Sequence, residues 1–252
     1  MLHGLSPKWK GTQYPMLSVI VPCRNERGNL RNLFSDLEKL HSVNEIIFVE
    51  GGSTDGTYEE LKSCLDSSED NRLRLIKQNG KGKFDAILSA VKVSQSDNFA
   101  IWDGDNTIQV SDQQNMINIF LANSNKPIFV TANRITAHRE SNAFRFINLI
   151  GNVFFSILVR LVFKIGIPDV LAGTKIFQRE LLDPEITCTI ALKLDPFGDL
   201  YLLSRAALAG CQIFSVPCKY KERFYGVSNI GRWSGGSAML RLMSHFLFHR
   251  CS

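Results

Sequence analysis

Apolar residues fall into short blocks through the first half of the chain, and polar residues gather where each block ends. Met16-Leu-Ser-Val-Ile-Val-Pro22, Glu45-Ile-Ile-Phe-Val-Glu50, Leu73 to Lys77 and Asn98-Phe-Ala-Ile-Trp102 are such blocks. They are short and rich in branched and aromatic residues, so they predict buried strands. Between the first two, Leu30, Leu33, Phe34, Leu37 and Leu40 recur at helical spacing. A turn, Gly51-Gly-Ser-Thr-Asp-Gly56, leads into a second helix through Leu65, with Ser53 or Thr54 as its cap. A third helix is expected from Phe84 to about Val93. Strands and helices in alternation predict an α/β fold with a mostly parallel sheet and helices on both faces.

The second half is patterned differently. Ile128 to Thr131 predicts another strand, and Asn142 to about Lys164 a long helix mixing aromatic, aliphatic and basic residues. Asp169 to Phe177 predicts a strand or extended segment, Asp199 to Ala209 a helix, and Gln212 to Lys221 an alternating strand. Gly226 to Gly231 is expected as a loop, and Arg232 to Phe248 as a C-terminal amphipathic helix. No repeat or linker interrupts the chain. The expected organisation is a polar N-terminal extension, 1–15, and a single domain over 16–252, with halves 16–132 and 133–252.

Charge narrows the partners. A formal charge of +5 over 252 residues suits an anionic ligand or a membrane surface. Nucleic acid is not expected, because no recognition motif and no long basic run is present. Cys23, Cys64, Cys188, Cys211, Cys218 and Cys251 show neither Cys-x-x-Cys pairs nor zinc spacing and are expected as free thiols in a reducing compartment. Residues 1–15 lack the apolar stretch of a secretory signal. The most apolar segment, Phe144 to Ile167, is broken by Asn148, Asn152, Arg160 and Lys164. It suits a helix against a membrane or within the core better than a span.

In doubly wound sheets, ligands bind beyond the carboxyl ends of the strands. The unusual polar residues fall at that edge: Asn25-Glu26, Glu50 to Asp55, Lys81 to Asp85 and Asp103 to Asn106. Asp103-Gly104-Asp105 sets two carboxylates across one glycine at a strand end. Alone it is good turn sequence. At that position it is expected to hold Mg²⁺ or Mn²⁺, which take oxygen ligands and share their shell with phosphates. Such an ion would neutralise charge on a departing nucleotide diphosphate. No Ser-His-Asp or Cys-His arrangement stands out. The absence of Gly-x-Gly-x-x-Gly after the first strand argues against a dinucleotide oxidoreductase.

Three segments together resemble family-two glycosyltransferases of the GT-A fold, and most of all the polyprenyl-phosphate group that includes dolichol-phosphate mannose synthases. They are Ser18-Val-Ile-Val-Pro-Cys-Arg-Asn-Glu26, Glu45-Ile-Ile-Phe-Val-Glu-Gly-Gly-Ser-Thr-Asp-Gly-Thr57 and Asp103-Gly-Asp105. The resemblance runs from Leu17 to about Met243. It implies a nucleotide-sugar donor, UDP- or GDP-linked, bound by Pro22, Arg24, Asn25, Glu26, Glu50, Ser53, Lys83, Asp85, Asp103, Gly104 and Asp105, with the metal on Asp103 and Asp105. It implies catalytic roles for Asp105, Asp199, Arg134 and Arg223. Arg134, Arg145, Lys175, Arg223, Ser228 and Arg232 would bind acceptor or phosphate. Asp169 and Ala172-Gly-Thr-Lys175 match an acceptor-side motif, and Arg223-Phe-Tyr-Gly-Val-Ser228 a late loop that closes over the phosphates. The chain departs from the pattern at Gly51, where a second acid is usual, at Thr107, where glutamine is common, and at Asn229, where lysine is frequent.

The implied reaction is inversion by one in-line displacement. A polyprenyl phosphate is already anionic and needs no base, only positive charge to hold it. A glycan or glycolipid hydroxyl would need a base, with Asp199 or Asp195 as candidate. Both acceptors stay open, as does a non-catalytic nucleotide- or membrane-binding relative. The basic-aromatic second half favours the lipid phosphate, and the expected location is cytoplasmic, peripheral on the inner face of a membrane.

Overall fold

A computed structural model of the chain describes residues 16–135, 146–182, 195, 197–226 and 232–248. In strand β1 (Leu17–Cys23), Leu17, Val19, Val21 and Cys23 enter one core layer and Ile20 the opposite one. Strand β2 (Glu45–Glu50) alternates likewise, with Ile46 and Phe48 on the first face and Ile47 and Val49 on the second. Continuous apolar sequence therefore serves two cores at once, as a sheet covered on both faces requires.

Strands β3 (Leu73–Lys77), β4 (Asn98–Ile101), β5 (Ile128–Asn133), β6 (Lys175–Gln178) and β7 (Gln212–Pro217) complete one seven-stranded sheet in the order β3-β2-β1-β4-β6-β5-β7. All neighbours pair in parallel except β6, which runs antiparallel to both β4 and β5. Cys23 pairs with Glu50 and Glu50 with Lys77, so the carboxyl ends of β1, β2 and β3 lie level.

Helices α1 (Leu30–Leu37), α2 (Thr57–Ser67) and α4 (Val110–Asn123) cover one face. Helices α3 (Lys83–Val93), α5 (Phe146–Phe163), α6 (Asp199–Leu208) and α7 (Arg232–Phe248) pack on the other. The mostly parallel α/β sheet with two helical layers is as the sequence pattern predicts. Helix α4 is an addition: its buried stripe is Gln113, Met116, Ile117 and Phe120, and a glutamine at the head of the stripe hides the period. The expected strand over 169–177 shrinks to Lys175–Gln178, because the preceding residues turn back over the ligand edge. Residues 142–145 of the expected long helix lie outside the described residues.

Cys23, Cys64, Cys211 and Cys218 are free thiols; Cys188 and Cys251 lie outside the described residues. Among the described residues, no helix is long and apolar enough to cross a membrane.

Candidate active site

The loops after β1 and β2 are built as one unit. Asn25 takes a left-handed backbone at φ 56°, which asparagine tolerates better than most residues. Its N–H donates to Ser53 Oγ at 3.0 Å, and its Oδ1 accepts from Thr54 N–H at 2.9 Å. Ser53 N–H in turn donates to Glu50 Oε1 at 2.5 Å. Ser53 therefore ties the two loops together and does not cap α2, contrary to expectation. Asp55 does that work, accepting from Thr57 N–H at 3.0 Å and from the Thr57 hydroxyl at 2.6 Å. Pro22 is half-buried near the end of β1, Cys23 closes the buried strand, and Arg24 after it is exposed.

Asp103-Gly104-Asp105 follows β4. A Cβ on Gly104 would lie 2.9 Å from the Pro22 carbonyl oxygen and 3.3 Å from Glu26 Cγ, so only glycine lets this turn nest against the β1 loop. Each aspartate already faces a cation. Asp103 pairs with the Lys83 ammonium from the start of α3. Asp105 Oδ2 accepts from Arg223 Nη2 at 2.7 Å, and Arg223 Nη1 reaches Glu26 Oε1 at 3.3 Å. Thr107 steadies Asp105 from behind, its hydroxyl donating to Oδ1 at 3.0 Å. Burial pushes the Glu26 carboxyl up to about 7, against the pull of the Arg223 guanidinium. Burial opposes charge on Lys83, but the Asp103 and Asp199 carboxylates outweigh it and hold the ammonium above its ordinary range.

Behind this pair lies a buried charge cluster. Asp199 starts α6, and its Oδ1 is buried with no hydrogen-bond partner, 3.8 Å from both the Lys83 and Lys175 ammoniums. Burial raises the Asp199 carboxyl, with the two lysines opposing. Lys175 is fully buried, its ammonium turned to the Ala172 carbonyl and to Asp199, and burial lowers its affinity for the proton. It is thus a counter-charge beneath the site, not a phosphate-binding residue at its surface. Gly173 makes room for the cluster: a Cβ there would lie 2.3 Å from Asp103 Oδ2 and 2.4 Å from Lys83 Nζ.

Arg134 follows β5 and is locked by Asp169. Its backbone N–H and Nε donate to Asp169 Oδ2 at 2.9 and 2.8 Å, and its Nη2 to Oδ1 at 2.9 Å. Asn152 of α5 donates to the same Oδ1 at 2.5 Å and accepts from Val170 N–H at 3.1 Å. A helix is thereby wired to the site through one fully buried carboxylate.

Glu26, Lys83, Asp103, Gly104, Asp105, Asp199 and Arg223 lie together at this edge of the sheet. Asp85 turns away, its Oδ1 accepting from Gly80 N–H at 3.0 Å; it shapes the Gly80–Gly82 loop. Asp195 accepts four backbone N–H bonds, from Phe197, Gly198, Leu200 and Tyr201, which leaves it a structural anchor for the start of α6. Arg145 and Ser228 lie outside the described residues, as does Asn229; Arg232 opens α7, with its side chain also outside them. The roles of Asn29 and Asn152 escaped the sequence reading, since an amide gains its role only from what folds against it.

The chain matches the family model described as glycosyl transferase family 2 over residues 18–184. Among curated proteins it is 26% identical over 208 residues to Glycosyltransferase AglJ of Haloferax volcanii, covering 81% of this chain and 63% of that one. It is 26% identical over 232 residues to Dolichyl-phosphate hexose transferase of the same organism, covering 88% and 90%. Its fold is that of glucosyl-3-phosphoglycerate synthase from Mycobacterium tuberculosis, solved with Mn²⁺, UDP and glucosyl-3-phosphoglycerate, with TM-score 0.64, 18% identity, and 94% and 80% of the chains covered. With a model match over well more than half of its length, and with the strand-end motifs assembled at one edge of the sheet, the chain belongs to glycosyl transferase family 2.

Proposed function

We propose that this chain transfers a sugar from a UDP- or GDP-linked donor to a polyprenyl phosphate, as a peripheral protein on the cytoplasmic face of a membrane, with residues 16–252 acting as one domain. The carrying observation is the outer face of α5. Ile150, Val153, Phe154, Ile157 and Leu161 are all exposed, Leu161 by 72%. They follow the i, i+3, i+4, i+7 spacing of a single stripe, next to exposed Arg160 and Lys164. An apolar stripe beside basic residues suits insertion among anionic lipids. The opposite face of the same helix carries Asn152, which reaches Arg134 through Asp169. A lipid acceptor held at the interface would thus meet a site wired to that helix. The likeness to a protein named Dolichyl-phosphate hexose transferase, over 88% of this chain and 90% of that one, supports the same acceptor class.

Asp103 and Asp105 would each give a carboxylate to a divalent cation, with no group of three or more acidic, histidine or cysteine ligands assembled among the described residues. At the ligand edge Lys83 and Arg223 are already engaged by Asp103 and Asp105, and Lys175 by Asp199. An incoming diphosphate would bring charge that these paired groups do not offset unless a further cation came with it. Asp103 and Asp105 would hold Mg²⁺ or Mn²⁺, leaving the rest of its shell to phosphate and water. When bound, the ion supplies charge neutralisation at the leaving diphosphate. The chain's own contribution is positional. Lys83 orients Asp103, Thr107 orients Asp105, and Arg134 and Arg223 offer guanidinium groups suited to phosphate.

Transfer to a hydroxyl is the second reading, favoured by Asp199, whose Oδ1 makes no hydrogen bond and whose proton affinity burial raises, as suits a general base. Supplying each donor with either a polyprenyl phosphate or a soluble glycan separates the two. Sugar is expected in the organic phase only with the lipid phosphate; transfer to glycan alone would overturn the first reading. Replacing Ile157 and Leu161 together with glutamate should weaken binding to anionic vesicles by at least about tenfold, given the apolar area lost. The thermal shift with donor should stay as in the wild type. Unchanged flotation with vesicles would remove α5 as the docking face.

A further inference from the structure

Asn29 occupies the N-cap position of α1 yet makes no side-chain bond to its own helix. Its amide turns instead to a distant segment. Tyr225 N–H donates to Asn29 Oδ1 at 3.1 Å, and Asn29 Nδ2 donates to the Tyr225 carbonyl at 3.2 Å. The same Nδ2 donates to Glu26 Oε2 at 2.5 Å. These partners fix which end of the amide is oxygen, since only the oxygen can accept from Tyr225 N–H. Asn29 is buried while Tyr225 is exposed, so the pairing is part-buried, anchored on its Asn29 side.

A second contact seats the same residue. A Cβ on Gly28 would lie 2.5 Å from the Tyr225 ring, so the ring closes directly over the glycine. The rest of the segment is stitched to the far side of the site: Lys219 N–H donates to Asp112 Oδ2 at 2.7 Å, and Lys221 N–H to the Thr107 carbonyl at 2.8 Å. Residues 219–225 therefore form a strap fixed at both ends, and Arg223 hangs from it between Asp105 and Glu26.

We infer that Asn29 is a positioning residue for transfer: its amide holds the Tyr225 main chain over Gly28 and so sets Arg223 at the Asp105–Glu26 pair. The inference rests on the proposed reading of Asp105 and Arg223 as part of the donor-diphosphate site. A long, flexible arginine on a loop is placed well only if the loop is. Asn29 supplies the placement without any proton chemistry of its own.

The test uses the full chain with Asn29→Ala, Asn29→Asp and Gly28→Ala. Asparagine and aspartate serve equally as helix caps, so a mere capping role is rescued by Asn29→Asp. The positioning role is not, because aspartate cannot donate to the Tyr225 carbonyl and stands against Glu26. All three variants are expected to speed hydrogen exchange at the Tyr225 amide by about tenfold or more, as the weakening of its one bond to Asn29 implies. They should lower kcat/KM for transfer by roughly 10- to 100-fold with melting close to wild type, the scale of a displaced positioning group. Gly28→Ala reaches the strap without touching the amide, so it keeps the test alive should an Asn29 variant fold poorly. Wild-type behaviour of Asn29→Asp, or faster Tyr225 exchange with undiminished transfer, would overturn the inference. Absence of transfer by the wild-type protein with every donor would instead overturn the proposed function, and the exchange result would still decide whether Asn29 holds the strap.

Discussion

Asp105→Ala is expected to reduce sugar transfer by about 10³-fold, the scale on which loss of a charge-stabilising group slows a reaction of this kind. The side chain does three things at once. It is one of the two carboxylates available to a cation, it accepts Arg223 at 2.7 Å, and it is fixed by the Thr107 hydroxyl at 3.0 Å. The fold should barely notice. Arg223 keeps Glu26 as a partner and is one-quarter exposed, so its freed guanidinium can be solvated. Asp105→Asn separates charge from shape, since the amide oxygen can still accept from Thr107. Transfer should fall nearly as far, and Mn²⁺ should bind more weakly in a calorimetric titration. Transfer by Asp105→Ala at near the wild-type rate would refute the assignment.

The largest stability effect is expected at Asp169. The carboxylate is fully buried and takes three hydrogen bonds from Arg134 and one from Asn152. Burial alone would raise its proton affinity, but Arg134 outweighs that and holds it ionised below the ordinary range. Asp169→Ala leaves the guanidinium of Arg134, only 15% exposed, without its counter-charge. Breaking a buried pair on one side costs about 3–5 kcal/mol, which in a chain of this size lowers the melting temperature by on the order of 10 °C. Adding Arg134→Met should recover much of the melting temperature, because no bare charge remains, while transfer stays lost. Equal melting of the single and double variants would mean that the pair is not the source of the loss.

The sheet was readable in the chain because its strands are covered on both faces. That condition writes itself as uninterrupted apolar runs, and β2 and β3 begin and end where the pattern predicts. Helix α4 was unreadable for the converse reason: it buries Gln113 on its inner stripe and spreads asparagines over the rest, so apolar period and helix do not coincide. The antiparallel β6 also left no local sign, since strand direction is decided by the path of the chain around it.

The site divides in the same way. Asp103, Asp105, Glu26 and Lys83 could be found from sequence because each lies within a few residues of a strand's carboxyl end or a helix start, and topology sends all such ends to one edge. Their burdens could not. Lys175 looked like a phosphate ligand and is a buried counter-charge to Asp199. Asp85 looked like a ligand residue and braces a loop. Asn29 carried no signal in the sequence and bonds a strap 196 residues away.

Sequence alone determined the family, the layered sheet and the edge where carboxylates and cations meet, because these follow from local periodicity and from motifs a few residues long. Tertiary structure alone decided which cation faces which carboxylate, which charges are sealed from water, and which helix communicates with Arg134. Those outcomes depend on distances of a few ångströms between segments far apart in the chain, and on burial, which converts a weak pairing in water into a strong one.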